Sequence, residues 1–578
     1  MKKKRWKIPD QTVGYSQEIV DYYGLSPITG RILARRGILT LEDARLFFEG
    51  GLEALQSPFL LPGLEKAVER TAAALRNEEK ILIYGDYDVD GLTSVALLLR
   101  VLRPFNKGNI IFYIPKRLDE GYGLHEQALA KAARYGCSLV VTVDCGITAC
   151  READFLAENR IDLVITDHHE IGEQLPKALA IVNPKLAPSV SGDARTGYVS
   201  PAFSQLAGVG VAFKFLQGLA RELPELEEKL RSNLDLVALG TIADLVPLLG
   251  ENRILVKEGL KVLTTTKNPG LAALIRSAGL GGKEVNAWDV GFLLAPRLNA
   301  CGRLGDSTTA LRLLTATDRV KAEKIANRLE LLNQQRKKVE EEVFSEAVNM
   351  LERNAQEQKK EKIILLAGEG WHPGVIGIVA SRLVEKYYKP TVLLSMNEEV
   401  GRGSARSIEG FHIFKALARC SAYLERFGGH EMAAGLEVHR DKLEDFHHAL
   451  QEVAETHIST EMLIPQLEVE DEVDLQTVNA CLLRELQSLA PFGVGNRRPV
   501  LVCRGVRLVS SRVVGKDGKH LRIMVGDGTS EIEGIGFNFG SLYDRVSSSN
   551  RLDLAFCLDI NEWNNQLQLV LKDLSSAG

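Results

Sequence analysis

No stretch of this 578-residue sequence stays apolar for anything near the ~18 residues that a membrane-crossing helix needs. None of its eight cysteines (137, 145, 150, 301, 420, 481, 503 and 557) stands in a CxxC pair. That argues against a thiolate zinc site and for reduced thiols in a cytoplasmic protein, where the default cysteine is a small buried hydrophobe. The basic start, MKKKRWKIPD, runs into no apolar segment, so no secretory signal is read. An excess of charge of either sign is missing too: the net charge is −5, and the molecule as a whole does not announce a polyanionic partner. The exception is local. Between Arg497 and Arg522, eight Lys and Arg (497, 498, 504, 507, 512, 516, 519, 522) face a single acid, Asp517.

What is present is ordinary globular composition, 45% hydrophobic and 25% charged, with length for roughly three or four domains of ~150 residues. Residues 1–70 read as a helical arm packing on the domain that follows. From Lys80 onward short β-rich runs alternate with helices. Strands are expected at Ile81–Tyr84, Ile110–Ile114, Leu139–Val143, Asp162–Ile165 and Leu179–Val182, and helices at Leu92–Leu102, Glu126–Tyr135, Ala149–Glu158 and Val209–Leu223. This is the pattern of βαβ units and a parallel sheet covered on both faces.

The ends of those strands carry the chemistry. Ile81–Tyr84 runs into Gly85-Asp86-Tyr87-Asp88-Val89-Asp90-Gly91, expected as a loop before the next helix. Leu139–Val143 runs into Asp144-Cys145-Gly146, and Asp162–Ile165 into Thr166-Asp167-His168-His169-Glu170. Parallel strands bring all three ends to one edge, where open α/β sheets bind ligands. Asp244, in Gly240-Thr241-Ile242-Ala243-Asp244-Leu245-Val246-Pro247, reads as a helix cap sooner than as a further donor, by about two to one on capping preferences. Crowded carboxylates repel one another, and a divalent cation relieves them. Oxygen donors with one or two imidazoles suit Mn²⁺ or Mg²⁺ better than zinc. So many donors exceed one ion's needs, and two ions about 3.5–4 Å apart serve in-line displacement at phosphorus. Phosphoester hydrolysis is the inferred chemistry.

The blocks GDYDVDG, VDCG, TDHHE and GTIADLVPL, in this order, resemble those of the DHH phosphoesterase superfamily. Ile114-Pro115-Lys116-Arg117 with Glu120-Gly121-Tyr122-Gly123, Leu206 to Ala212, and Pro296 to Leu304 resemble the RecJ single-strand DNA exonucleases. The resemblance implies that Asp88, Asp90, Asp144, His168 and Asp244 ligate two divalent cations, with Asp144 as the bridge and Asp86 in or just behind the ligand shell. It implies that His169 contacts the scissile phosphate. Tyr84 departs from the pattern, standing where many members have a histidine ligand.

The run KLAPSVSGDARTGYVS, within 185–201, reads as a surface loop. Asp318 to Asn354 reads as a helix of some 35 residues, about 50 Å long, with a narrow apolar stripe suited to a connector. A second α/β domain follows, with glycine clusters at Trp371 to Gly377, Gly403 to Ser407 and Gly428 to Gly435. These resemble the DHH-associated domain, which closes over the metal edge. The resemblance implies a 5′-phosphate and substrate pocket of Arg117, Asn299, Arg303, Ser404, Arg406 and Gly429, with His430 against the scissile group. From Leu467 short strands and turns predict an OB-type β-barrel. Its expected single-strand contacts are Arg497, Arg507, Arg512, Lys516, Lys519 and Arg522, with Phe492, Phe537 and Phe539 as candidate stacking rings, although phenylalanine is about twice as often core as platform.

The fold class expected is therefore α/β: a parallel-sheet DHH domain (71–310), a long connecting helix (311–358), a second α/β domain (359–458) and an OB-type barrel (465–575). The expected activity is metal-dependent 5′-to-3′ exonuclease digestion of single-stranded DNA in repair and recombination, by a monomer in the cytoplasm with no membrane contact. Two rivals are a phosphodiesterase of cyclic dinucleotides or short oligonucleotides, which usually lacks such a barrel, and an inactive DHH scaffold. A helicase and a single-strand-binding protein are partners implied by the family alone.

Overall fold

In a computed structural model, residues 4–10, 14–106, 108–186, 205–354, 356, 360–528, 530–561 and 563–577 are described. The loop expected at 185–201 lies almost wholly outside them. The chain divides into two compact units. One comprises Glu49–Arg336 with Pro491–Arg497, and the other Met1–Phe48, Lys337–Ala490 and Arg498–Gly578.

The first unit is built on five parallel strands: β1 (Ile81–Gly85), β2 (Ile110–Tyr113), β3 (Leu139–Val143), β4 (Asp162–Thr166) and β5 (Ala180–Val182), in the order β2-β1-β3-β4-β5. Strands β1 and β3 are buried along their whole length, as their unbroken apolar sequence requires when helices cover both faces. Alternate side chains divide two cores. Ile81 and Ile83 join the larger one with helices α1 (Val89–Leu102), α2 (Gly208–Glu222) and α3 (Leu234–Ala243), while Leu82 and Tyr84 join the smaller one. The chain leaves β1 toward β2 on one side and returns to β3 on the other. The carboxyl ends of β1 and β3 therefore flank the point where the strand order reverses, and β4 adjoins β3.

Two expectations need correction here. Helix α1 begins at Val89, so Asp88 is its N-cap, accepting from the Gly91 N–H at 3.1 Å, and Asp90 lies in its first turn. Asp90 is not in a loop. The expected boundary at residue 70/71 cuts the helix Leu64–Arg76, whose apolar side packs in the first unit's larger core.

The arm expected over residues 1–70 is divided: Leu61, Leu64 and Ala67 join the first unit's larger core, as expected, whereas residues 1–48 cluster with the second unit. Arg5–Lys7 pairs in parallel with Gln466–Glu468. Arg31 donates to Asp471, and the Ser26 and Thr29 hydroxyls donate to Glu485. All belong to the second unit.

Helix α4 (Ala295–Leu304) carries Asn299 and Arg303, and α5 (Arg319–Arg353) is the long helix, 35 residues as expected. The preceding residues Thr308–Leu314 form a separate helix.

In the second unit β6 (Ile364–Glu369), helix α6 (Pro373–Tyr387), β7 (Thr391–Met396), β8 (Val400–Arg406), β9 (Leu424–Gly429) and β10 (Ala433–His439) form a mixed sheet of order β9-β10-β8-β7-β6. The barrel follows: β11 (Leu501–Val514), β12 (His520–Gly526), β13 (Glu531–Gly536), β14 (Arg551–Asn561) and β15 (Gln566–Ser576). Antiparallel pairs β11–β12, β12–β13, β14–β15 and β11–β14, with parallel β13–β15, close the ring. The two short strands expected at Val500–Cys503 and Val506–Val509 are one strand, bent by a bulge against β14.

Candidate metal centre and substrate surfaces

The end of β3 holds Asp144 at φ 60°, a left-handed conformation that aspartate tolerates better than most residues. This turns its carboxylate toward the amino end of α2. Gly208 there leaves the room, since a Cβ would lie 2.6 Å from Asp144 Oδ1. Asp90 is held at the same helix end, accepting from the N–H groups of Gly208 (2.6 Å) and Val209 (2.8 Å). At the end of β4, buried Asp167 accepts from the backbone N–H groups of Ile147, His168 and His169 at 2.9, 2.7 and 3.1 Å. The same carboxylate lies 2.8 Å from His169 Nδ1.

These supports bring the expected residues together. His168 Nε2 stands 3.1 Å from Asp144 Oδ1 and 3.9 Å from Asp90 Oδ2, and its Nδ1 is 3.7 Å from Asp244 Oδ2. Donor atoms of Asp90, His168 and Asp244 lie within 4.8 Å of one another, as do those of Asp86, Asp88 and Asp144, and those of Asp144, His168 and His169. Asp244 is thus both the end of α3 and a member of the cluster. Tyr84 takes no part: its side chain lies in the smaller core and its hydroxyl donates to the Gly123 carbonyl at 3.1 Å, while Asp86 joins the cluster.

The electrostatics call for a cation. Burial first, and neighbouring acids second, raise the carboxyls of Asp86 and Asp144 well above the usual range, bring Asp90 to about 7 and bring Asp244 to about 9. Burial pushes His168 down to about 3, which leaves a neutral imidazole with a lone pair to give. His169 shifts the other way: its burial opposes the charge, but the Asp167 hydrogen bond prevails and its pKa rises. Asp86 Oδ1, Asp144 Oδ1 and His168 Nε2 are buried without a hydrogen-bond partner. Buried polar atoms left in this state are costly, and all three are good donors to a hard divalent ion. The residues present fit Mn²⁺ or Mg²⁺.

Residues not assigned from the sequence support the cluster. Asp167 fixes the His168-His169 turn, and the Tyr122 hydroxyl lies 3.0 Å from His169 Nδ1. Both stood within quoted motifs, but only the fold shows what they touch. Arg117 lies with its guanidinium 5.1 Å from the Tyr87 ring, and both Arg117 and Arg303 act electrostatically on the Tyr87 hydroxyl. Asn299 and Arg303 share α4.

In the second unit, Arg406 Nη1 donates to Ser404 Oγ (3.0 Å) and to the Ala405 carbonyl (2.7 Å) on β8. Both side chains lie against α6, where a Cβ on Gly377 would be 2.9 Å from Arg406 Nη2 and from Ser404 Oγ. Gly429, at φ 144°, has no space for a side chain beside Ala433 and Ala434, and it leads into exposed His430.

The barrel surface is less basic than its sequence. Arg522 pairs with Glu533, Lys519 with Asp517, Arg498 with Asp559, and Arg504 with Glu472. Arg507, Arg512 and Lys516 are exposed. Two corrections apply to the expected contacts: Arg497 and Phe492 lie in the Pro491–Arg497 segment, which clusters with the first unit and not with the barrel. Phe539 is buried at 4% exposure, so it is core, whereas Phe537 is 56% exposed beside His520. Among the described residues no helix is long and apolar enough to cross a membrane.

Three family models match: "DHH family, N-terminal domain" over residues 80–241, "DHHA1 domain" over 360–456 and "RecJ OB domain" over 469–573. The single-stranded-DNA-specific exonuclease RecJ of Bacillus subtilis is 39% identical, the match covering 99% of this chain and 71% of that protein. The RecJ of Escherichia coli is 34% identical over 95% of this chain and 96% of its own. The crystal structure of Thermus thermophilus RecJ in complex with Mn²⁺ is similar at a TM-score of 0.83 and 29% identity, covering 99% of this chain and 80% of that one. With its cluster of strand-end acids in the first unit and the second α/β domain and barrel in the other, this chain belongs to the RecJ family of single-stranded-DNA-specific exonucleases.

Proposed function

We propose that this protein is a two-metal exonuclease that hydrolyses phosphodiester bonds of single-stranded DNA from the 5′ end, in DNA repair and recombination. The observation that carries the reading is the cluster in which donor atoms of Asp86, Asp88, Asp90, Asp144, His168 and Asp244 converge, with Asp86 Oδ1, Asp144 Oδ1 and His168 Nε2 buried without a hydrogen-bond partner. Asp86, Asp88 and Asp144 would hold one divalent cation, and Asp90, His168 and Asp244 a second, with Asp144 shared. Mn²⁺ or Mg²⁺ bound there supplies Lewis acidity and lowers the pKa of water for attack at phosphorus.

The remaining roles fall to the chain's own side chains. His169, its imidazole held by Asp167 and raised in pKa, carries positive charge toward the scissile phosphate and offsets the charge developing on its oxygens. His430, exposed on the second unit, is the further imidazole that contacts the scissile group. Arg117, Asn299, Arg303, Ser404, Arg406 and Gly429 hold the terminal nucleotide and its 5′-phosphate through forked guanidinium donors and close backbone approach. Exposed Arg507, Arg512 and Lys516 on the barrel track the strand's phosphates. The protein acts as a cytoplasmic monomer supplied with single strands by a helicase and a single-strand-binding protein.

The test is digestion of a single strand labelled at either end, with 5′-phosphate or 5′-hydroxyl, in Mn²⁺ and in EDTA. Loss of label from the 5′ end first, faster with the phosphate and abolished by EDTA, is expected. Digestion from the 3′ end, or digestion insensitive to EDTA, would overturn it.

A further inference from the structure

On the face of the second unit's sheet that carries Ser404 and Arg406, the register sets three cross-strand rows. Arg406 lies opposite Ala433, Ser404 opposite Gly435 and Gly428, and Arg402 opposite Glu437 and Arg426. Gly428 and Gly435 of the second row, with all three residues of the last row, line a groove of about 370 Å³, which Ser404 does not reach. Arg402 and Arg426 project into solvent, their side chains 59% and 84% exposed. Both are oriented by Glu437 between them, at 3.3 and 4.0 Å. The floor is bare backbone. Neither Gly428 nor Gly435 has a positive φ, and a Cβ at Gly428 would meet nothing within 4 Å, one at Gly435 only the Gly403 carbonyl at 4.0 Å. No turn and no internal contact requires glycine at either place, although glycine weakens a strand. Of the charged residues that line the groove, two are arginines and one is an acid.

We infer that this groove is a second phosphate subsite for the single strand, in which Arg402 and Arg426 bind a backbone phosphate while the strand lies against Gly428 and Gly435. The inference rests on the reading of Ser404 and Arg406 as the 5′-phosphate residues. Arg402 is four residues from Arg406 along β8, ~13 Å at ~3.3 Å per residue, a separation that a few nucleotides of extended strand cover. A polyanion suits this surface better than an apolar partner does. Arginine forks grip phosphate in two directions, and the missing side chains let sugar and phosphate approach the sheet. The subsite therefore acts only on substrates long enough to reach it.

The experiment uses the full chain loaded with Mn²⁺ and compares a 5′-phosphorylated dinucleotide with a long oligothymidylate. In the Arg402→Gln, Arg426→Gln double variant, KM for the long strand should rise about tenfold with kcat unchanged, and both parameters for the dinucleotide should stay as in the wild type. The slope of log affinity against log salt should fall by about 0.7, the value for one single-strand phosphate. Gly435→Val should raise KM for the long strand without lowering Tm, because its side chain enters open space. Equal losses on the dinucleotide and the long strand would overturn the inference by moving the arginines into the end pocket. An unchanged salt slope, or a lowered Tm for Gly435→Val, would overturn it as well and leave the groove to a protein partner or to packing. The underlying reading fails separately, and visibly, if the wild type does not prefer a 5′-phosphate on either substrate.

Discussion

His168 Nε2 and Asp144 Oδ1 lie 3.1 Å apart, both buried, without forming a hydrogen bond to each other. Two potential partners held so close yet misaligned are positioned for a third body. Asp144→Ala should therefore abolish hydrolysis in Mn²⁺ and remove one bound ion by titration. In EDTA its Tm should equal or exceed that of the wild type, because the change deletes a carboxyl whose charge the fold opposes. Full activity in this variant would refute the assignment.

Metal and proton compete for the same oxygens. In the chain without metal, burial and neighbouring acids push Asp90 up to about 7 and Asp244 up to about 9, well above the ordinary carboxylate range. An acid whose folded pKa is raised supports the fold while protonated, and that support is lost as pH climbs through the folded value. In EDTA, wild-type Tm should fall from about pH 5 to about pH 8.5 relative to Asp244→Asn, and the rise in Tm on adding Mg²⁺ should grow over the same window. A metal-induced shift that shrinks with pH would contradict this.

Asp167 works through His169. Asp167→Asn keeps the size but weakens the bond to His169 Nδ1 and removes the charge that raises its pKa. A loss of about 10–100-fold in kcat is expected, as for other residues that orient a site's side chains. The activity profile's limb for His169 should also move to lower pH. Three backbone N–H groups depend on the same carboxylate, so Tm should fall too, by an amount differential scanning calorimetry will give.

Gly208→Ala places a methyl 2.6 Å from Asp144 Oδ1 and 2.7 Å from its Cβ. The carboxylate must move, and activity should drop steeply while the circular dichroism spectrum stays native. Mn²⁺ affinity measured by calorimetry should fall in step with kcat.

On the barrel, exposed Arg512 and paired Arg522 sit directly opposite each other on β11 and β12. Arg512→Ala should weaken single-strand binding, with a salt slope lower by about 0.7, and leave Tm unchanged. Arg522→Ala should lower Tm, since it strips Glu533 of its cation. Equal effects on both quantities from the two variants would show that the ion pair does not divide the basic stretch.

Much of this was legible before any coordinates, for a local reason. Unbroken apolar runs of β-branched residues ending in acids specify buried strands and their carboxyl ends, and parallel pairing then forces Asp86 to Asp90, Asp144 and His168-His169 to one edge. Pattern alone also announced the long helix and the barrel, because both depend on periodicity within neighbouring residues. Contacts between residues remote in sequence were not legible. That Asp90 rests on the N–H groups of Gly208 and Val209, that Tyr84 turns into the smaller core, and that Asp167 carries both histidines required the packed fold. So did the pairing of Arg522 with Glu533 and the return of Arg5–Lys7 to Gln466–Glu468. Composition counts charges without saying which are neutralised, and strand pattern places a residue on a face without saying what fills the space beyond it. The sequence alone determined the chemistry available at the strand ends; only tertiary structure, by burying carboxylates where water cannot reach them, decided which of those groups need a metal.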